Sequence, residues 1–214
     1  MKIIKAGYEI LTPLNANEIL KHLELVGRVC YKSEDKITAE SAAPFIVGLI
    51  KRGHEAIIEH YNITVKFICD RGVSHELVRH RLASWAQEST RYCNYSKDGF
   101  ANGCTFIEPC FWDKNPEAYV TWLEAMTKAE ELYLQLVTIA EASAQEARSV
   151  LPNSLKTEVI MTANLREWRH FFKLRTADAA HPQMREVTRP LLRELKETIP
   201  VIFDDIPEPW LWKD

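Results

Sequence analysis

Residues 79–92, RHRLASWAQESTRY, crowd three arginines, a histidine, three hydroxyl side chains, a glutamine and a tyrosine into one short strip. Such a strip offers many hydrogen-bond donors to a small polyoxygen ligand. Arginine suits phosphate in particular, because its planar fork matches the oxygens of an anion. If Arg79, His80 and Arg81 lie on a helix, they fan out over about 200° and cannot face one phosphate together. Taken alone, such a trio reads as two surface arginines around a partly buried histidine. The polar run Ser84, Gln87, Ser89, Thr90 and Arg91 is what favours a ligand. Arg148, just before Val150-Leu151-Pro152, and Arg175, after Phe171, Phe172 and Leu174, are similar in kind. By itself each fits a snorkelling or ion-paired arginine equally well.

Other phosphate and metal devices are weak or missing in the sequence. The seven glycines are scattered, with no GxGxxG and no GxxxxGK[ST], so any phosphate must meet side chains rather than a glycine-rich cradle. GHEAIIEH, residues 53–60, brings His54, Glu55, Glu59 and His60 close in sequence. Its histidines stand six apart, whereas a zinc-binding helix needs them four apart on one face. A polar turn after a helix is the plain reading. A metal-dependent hydrolase built on these four residues is one alternative function, and the wall of an organic pocket is another role for them.

The bulk properties narrow the field further. The chain has 214 residues, 46% hydrophobic, and can bury a core as a single domain. A net charge of −3 argues against general nucleic-acid affinity, so a non-enzymatic nucleotide- or RNA-binding module is the weaker alternative. No apolar run is long enough for a bilayer, and the start lacks a signal-peptide pattern. Five cysteines without a CxxC pair suit a reducing cytoplasm.

The elements that would position these groups read as follows. Residues 2–12 are predicted as a strand, and Asn15 with Glu18 as a capping box before a helix carrying Ile19, Leu20, Leu23 and Val26. A second helix is predicted from Thr38, carrying Phe45, Ile46 and Leu49 and stopping at Gly53. Residues 62–69 alternate as a half-buried strand, and Ser74 is expected to cap a short helix leading into the arginine strip. Asn115-Pro116-Glu117 opens a long helix. Ser143 opens a short one, 156–163 form a strand, and Asn164 caps a helix through Arg175. A last helix, 182–197, contains Pro190 and should kink there. This order indicates an α+β fold with a mixed or antiparallel sheet and one long helix.

RHRLASWAQESTRY resembles the signature of the flavin-dependent thymidylate synthases: RHR, seven residues, a serine, then Arg91-Tyr92. The likeness extends to GHEAIIEH, to Arg28-Val29-Cys30-Tyr31, and to ARSVLP and ANLREWRHFFKLR downstream. It implies an α+β enzyme that makes dTMP from dUMP, acting as a homotetramer with sites shared between subunits. Methylenetetrahydrofolate would give the carbon and FAD reduced by NADPH the hydride, with no cysteine nucleophile and no metal. Carried over by position, Glu76, Arg79, Gln87, Glu88, Ser89, Thr90, Arg91, Arg148 and Arg175 would bind dUMP. Ala56, Arg79, His80, Arg81, Gln87, Asn164, Arg166 and His170 would bind FAD. Arg175 would be the catalytic residue, favouring ionisation of the uracil at N3. His54 and Tyr92 are candidate folate contacts from their chemistry alone. Departures from the family pattern are Thr90 in place of a common glycine, Ala86 in place of a common polar residue, Glu76 where some members have glutamine, and Ala56, which lacks a side-chain hydroxyl and would bind through its backbone.

Overall fold

The computed structural model describes residues 1–100, 102–112 and 115–208. In chain order the elements are β1 (Lys2–Ile4), β2 (Gly7–Ile10), α1 (Ala16–Tyr31), α2 (Ala42–Lys51), β3 (Asn62–Asp70), α3 (Arg71–Leu77) and β4 (Ala83–Gln87). There follow β5 (Thr105–Ile107), α4 (Pro116–Thr138), α5 (Ala144–Ala147), β6 (Lys156–Asn164), α6 (Leu165–Arg175), α7 (Pro182–Thr198) and α8 (Pro200–Phe203). The fold is α+β, with a four-stranded sheet in the order β2-β3-β6-β4 and a separate pair, β1 with β5.

Two compact units divide the chain. The first comprises residues 1–8, 66–79 and 85–160; the second comprises 9–65, 80–84 and 161–214. The core of the first gathers Tyr95, Phe106, Trp122, Met126, Tyr133 and Leu155. Its buried polar ends are matched: Trp122 Nε1 donates to Ser154 Oγ at 3.0 Å, and the Tyr95 N–H donates to Tyr133 Oη at 3.2 Å. The second unit packs α1 on α2 and α6 on α7. Leu23, Ile46, Leu49, Trp168, Phe171, Phe172 and Phe203 are all sealed from solvent there. Trp168 donates its indole N–H to the Ile63 carbonyl at 3.1 Å, so the helix is pinned to β3 through a group that burial would otherwise orphan.

Most elements match their sequence signals. Asn15 accepts from the Glu18 N–H at the start of α1, Asn115 from Ala118 at α4, and Asn164 from Glu167 at α6. Ile63, Val65, Phe67 and Cys69 form the buried face of β3, as their alternation requires. α7 carries Pro190 in its interior.

Four expectations are corrected. The strand over 2–12 is two strands, because β1 pairs in parallel with β5 (Ile3 opposite Phe106) while β2 joins the larger sheet. The second helix begins at Ala42, not Thr38; the Thr38 N–H instead donates to Ser41 Oγ at 2.8 Å. Asp70 rather than Ser74 caps α3, its carboxylate accepting from the Val73 N–H at 2.8 Å. The arginine strip is not helical: Arg79, His80 and Arg81 follow the end of α3, and Ala83–Gln87 form β4. β5 and α8 were not anticipated.

Candidate active site

In the first unit the nucleotide candidates lie around β4 and the turn after it. Gln87, at the end of β4, donates its amide to Ser74 Oγ (2.9 Å) and Thr157 Oγ1 (3.3 Å). Glu88 is held at both oxygens: Tyr95 Oη donates to one at 2.9 Å and Lys156 Nζ to the other at 2.9 Å. The Tyr95 phenol is pushed up by burial and by the Glu88 charge, so it stays a donor. Ser89 Oγ accepts from the Arg91 N–H at 3.3 Å and so shapes the turn that exposes Arg91 and Tyr92. Buried Thr90 accepts at Oγ1 from Arg148 Nη1 at 3.2 Å. Thr90 and Arg148, far apart in sequence, thereby form one hydroxyl–guanidinium pair with the arginine otherwise exposed. Arg79 is exposed and Glu76 half-buried. Ser74, Thr157, Lys156 and Tyr95 carried no sequence signal as site residues; each acts by holding a signature residue.

In the second unit the loop after α3 meets α6. His80 is buried, and Arg175 Nε donates to its Nε2 at 2.9 Å. The other ring nitrogen, Nδ1, faces Glu167 Oε1 at 3.4 Å, and the ring packs edge-on against Phe171 at 4.9 Å between centroids. Burial, then the Arg175 charge and His170, lower the His80 pKa from 6.5 to about 4. Burial raises the Glu167 carboxyl. Arg166 is half-exposed in the first turn of α6 and donates to Glu59 at 2.6 Å, while His170 is exposed. Asn164 caps the same helix, and Ala56 is exposed in the 3-10 turn Glu55–His60. A flavin dinucleotide needs donors for its diphosphate, and the exposed guanidinium of Arg81, that of Arg166 and the exposed imidazole of His170 are donor types that fit such a group.

The metal quartet of the alternative reading is not assembled among the described residues. His54 Nδ1 lies 3.2 Å from Tyr31 Oη, Glu55 pairs with Arg169 at 3.1 Å, and Glu59 pairs with Arg166. Among the described residues one group does bring ligand atoms within 4.8 Å, namely His80, Glu167 and His170. The guanidinium of Arg175 lies against the same His80, and its fixed positive charge disfavours a cation there. Three of the five thiols are quiet as well: burial pushes Cys104 up to about 12 and raises Cys69 and Cys93.

The His80 shift has a measurable consequence. Between pH 6.5 and about 4 the unfolded chain takes up a proton at His80 that the folded chain refuses, so folding stability falls as the pH drops through that window. Glu167, raised by burial, titrates in the opposite sense, so the informative quantity is the difference between wild type and His80→Gln. Urea unfolding across this range is expected to show a shallower acid loss in His80→Gln; identical pH profiles refute a neutral buried His80.

Residues 14–201 match the thymidylate synthase complementing protein family. The flavin-dependent thymidylate synthase of Geobacter sulfurreducens is 34% identical over 85% of this chain and 79% of its own length. That of Corynebacterium glutamicum is 30% identical over 94% of this chain and 84% of its own. Among solved structures, a UMP/dUMP methylase, PolB from Streptomyces cacaoi, bound with 5-Br dUMP, superposes with a TM-score of 0.77 over 95% of this chain and 96% of that one. At 23% identity that likeness speaks for the fold alone. With the signature residues folded as described and the match running through nearly the whole chain, the chain belongs to the family of the flavin-dependent thymidylate synthases.

Proposed function

We propose that this chain, acting as one synthase domain, methylates dUMP to dTMP, with methylenetetrahydrofolate as carbon donor and NADPH as reductant. The reading rests on one observation: the family match over 14–201 contains every residue of the two candidate sets, from Ala56 to Arg175. Arg148, Thr90, Ser89 and Arg91 would bind the nucleotide phosphate and sugar, with Glu76, Arg79, Gln87 and Glu88 alongside. Asn164, Arg166, His170, Arg81, His80 and Ala56 would hold FAD, which when bound and reduced supplies the hydride.

Arg175 carries the chemistry of the pyrimidine. Uracil is a poor carbon nucleophile until electron density moves toward C5. A guanidinium fixed beside N3 and the carbonyl oxygens stabilises the negative charge that this shift creates. It stays charged in a dry site, which a lysine need not do. The raised thiols of Cys69, Cys93 and Cys104 favour a route without a cysteine nucleophile, since a protonated thiol attacks poorly. The nucleotide set lies in the first unit except for Arg175, and the flavin set lies in the second except for Arg79 and Gln87. The assembly that the resemblance implies is a homotetramer with sites shared between subunits, and the cysteine usage suits the cytoplasm.

The test is direct. The purified protein, supplied with FAD, should show a flavin spectrum that bleaches on adding NADPH and should form dTMP when dUMP and methylenetetrahydrofolate follow. A protein that binds no flavin and forms no dTMP overturns the reading, and methylation of UMP but not dUMP overturns the deoxynucleotide assignment. A monomer by sedimentation that is fully active removes the shared-site arrangement.

A further inference from the structure

We propose that His80 and Glu167 are positioning residues for Arg175: His80 accepts a hydrogen bond from the guanidinium and fixes its plane, and the Glu167 carboxylate faces the other nitrogen of the ring. This rests on the reading of Arg175 as the catalytic residue, and it gives His80 a role distinct from the flavin contact that the family resemblance implies.

The geometry dictates the protonation pattern. A guanidinium has donors only, so the 2.9 Å contact from Arg175 Nε requires a lone pair on His80 Nε2. The ring is therefore neutral and carries its proton on Nδ1, the nitrogen that faces Glu167 Oε1 at 3.4 Å. The Glu167 carboxylate favours this tautomer, and a protonated ring would set N–H against N–H. The strong downward shift of the His80 pKa agrees with the same state.

The helix supplies the spacing. Glu167, Phe171 and Arg175 follow one another at four-residue steps on α6, so they line one side of it. Side chains of a helix lean toward its N-terminus, so Arg175 reaches back over Phe171 to the imidazole lying there. Glu167 is itself placed by its own N–H, which donates to Asn164 Oδ1 at 2.9 Å. The main chain of Arg175 is tied as well, its carbonyl accepting from Thr188 Oγ1 of α7 at 2.9 Å. Thr188 is buried, so this tie is not exchanged with water. Held at the carbonyl and at Nε, the arginine keeps one orientation, and the terminal nitrogens can point only where the planar group directs them.

Such a device matters because misplacement by about 1 Å can cost on the order of 10²-fold in rate. His80→Phe keeps the ring packing and removes the acceptor; kcat per bound flavin should fall about 10- to 100-fold, with the KM for dUMP nearly unchanged. His80→Gln restores an acceptor oxygen close to Nε2 and should recover part of the loss. In an Arg175→Ala background, His80→Phe should cost almost nothing more, because a residue acting through Arg175 has nothing left to position. Full additivity of the two changes overturns the proposal. Should His80→Phe fail to fold, Glu167→Leu enters the same cycle with the same expectation.

The tautomer provides a readout independent of turnover. In protein labelled with ¹⁵N-histidine, the His80 signals, assigned by their loss in His80→Gln, should show a neutral ring protonated at Nδ1 at about pH 7.5. A proton on Nε2, or an imidazolium, overturns the proposal whatever the activity. If the wild type makes no dTMP, the functional reading fails by itself and the positioning contact stands or falls on this spectrum.

Discussion

Arg175→Ala is expected to slow dTMP formation about 10²- to 10³-fold while leaving the fold and the flavin spectrum intact. That is the usual cost of deleting one preorganised donor aimed at developing charge, about 3–4 kcal/mol of barrier. The structure supplies the preorganisation: a half-buried arginine with Nε on His80 and its carbonyl accepting from Thr188. Neither anchor is a core contact whose loss would open a cavity, so the variant should fold. Single-turnover dTMP formation, measured beside the visible spectrum, separates the outcomes. Near-normal dTMP formation removes Arg175 from the chemistry, and loss of flavin with it makes Arg175 a cofactor ligand. Arg175→Lys should recover little, because an ammonium lacks both the planar fork and the Nε–H that meets His80.

How much of this was legible in the sequence depended on how local the physics was. Helix starts were readable where a capping side chain reaches its own next turn, as Asn15, Asn115 and Asn164 do. Two starts lie elsewhere than their local signals place them, that of α2 and that of α3, where Ser74 reads as the cap. Asp70 took the cap, leaving the Ser74 hydroxyl to donate to the Arg71 carbonyl and accept from Gln87, a partner no local pattern announces. β4 was hidden because ASWAQ has one large apolar residue and no hydrophobic alternation. The break between β1 and β2 was hidden because strand partners, β5 for one and β3 for the other, are chosen far along the chain.

The site divides in the same way. Most of the residues proposed to meet the nucleotide stand together in RHRLASWAQESTRY and could be named from it. Residues that hold them could not, because Lys156, Tyr95, Thr188 and Glu167 act through tertiary pairing. Glu167 is the clearest case. Its place three residues after Asn164 marked it as a helix-start residue, and its N–H does serve the cap; its carboxylate goes instead to His80. A motif lists what touches the substrate and is silent about what steadies it.

Arg169→Ala is expected to destabilise the fold by about 2–3 kcal/mol, less than for a fully buried ion pair, because the guanidinium is buried but the Asp205 side chain is 54% exposed and screened by water. Arg169 is 1% exposed in the middle of α6. Its fork donates to Asp205 at 2.6 and 2.7 Å, to Glu55 at 3.1 Å, and to the Ile202 carbonyl. Truncation would leave two carboxylates and a carbonyl without their donor, and a space the size of the side chain. Arg169→Met fills the space without the charge and should lose less, which separates the cavity from the electrostatics. The pH dependence has a definite sign. The Arg169 guanidinium lowers the Asp205 carboxyl below its ordinary value, so that part of the stability is present near neutrality and is lost as the pH falls through the folded pKa. The gap between wild type and Arg169→Ala in urea unfolding should therefore narrow in acid. A gap below about 1 kcal/mol at neutral pH would mark the cluster as a solvent-screened bridge. The consequence reaches the site, because Arg169 joins the turn bearing Ala56 to the helix bearing Arg166, His170 and Arg175. Arg169→Met, folded but without that tie, should therefore release FAD more readily than wild type on dilution.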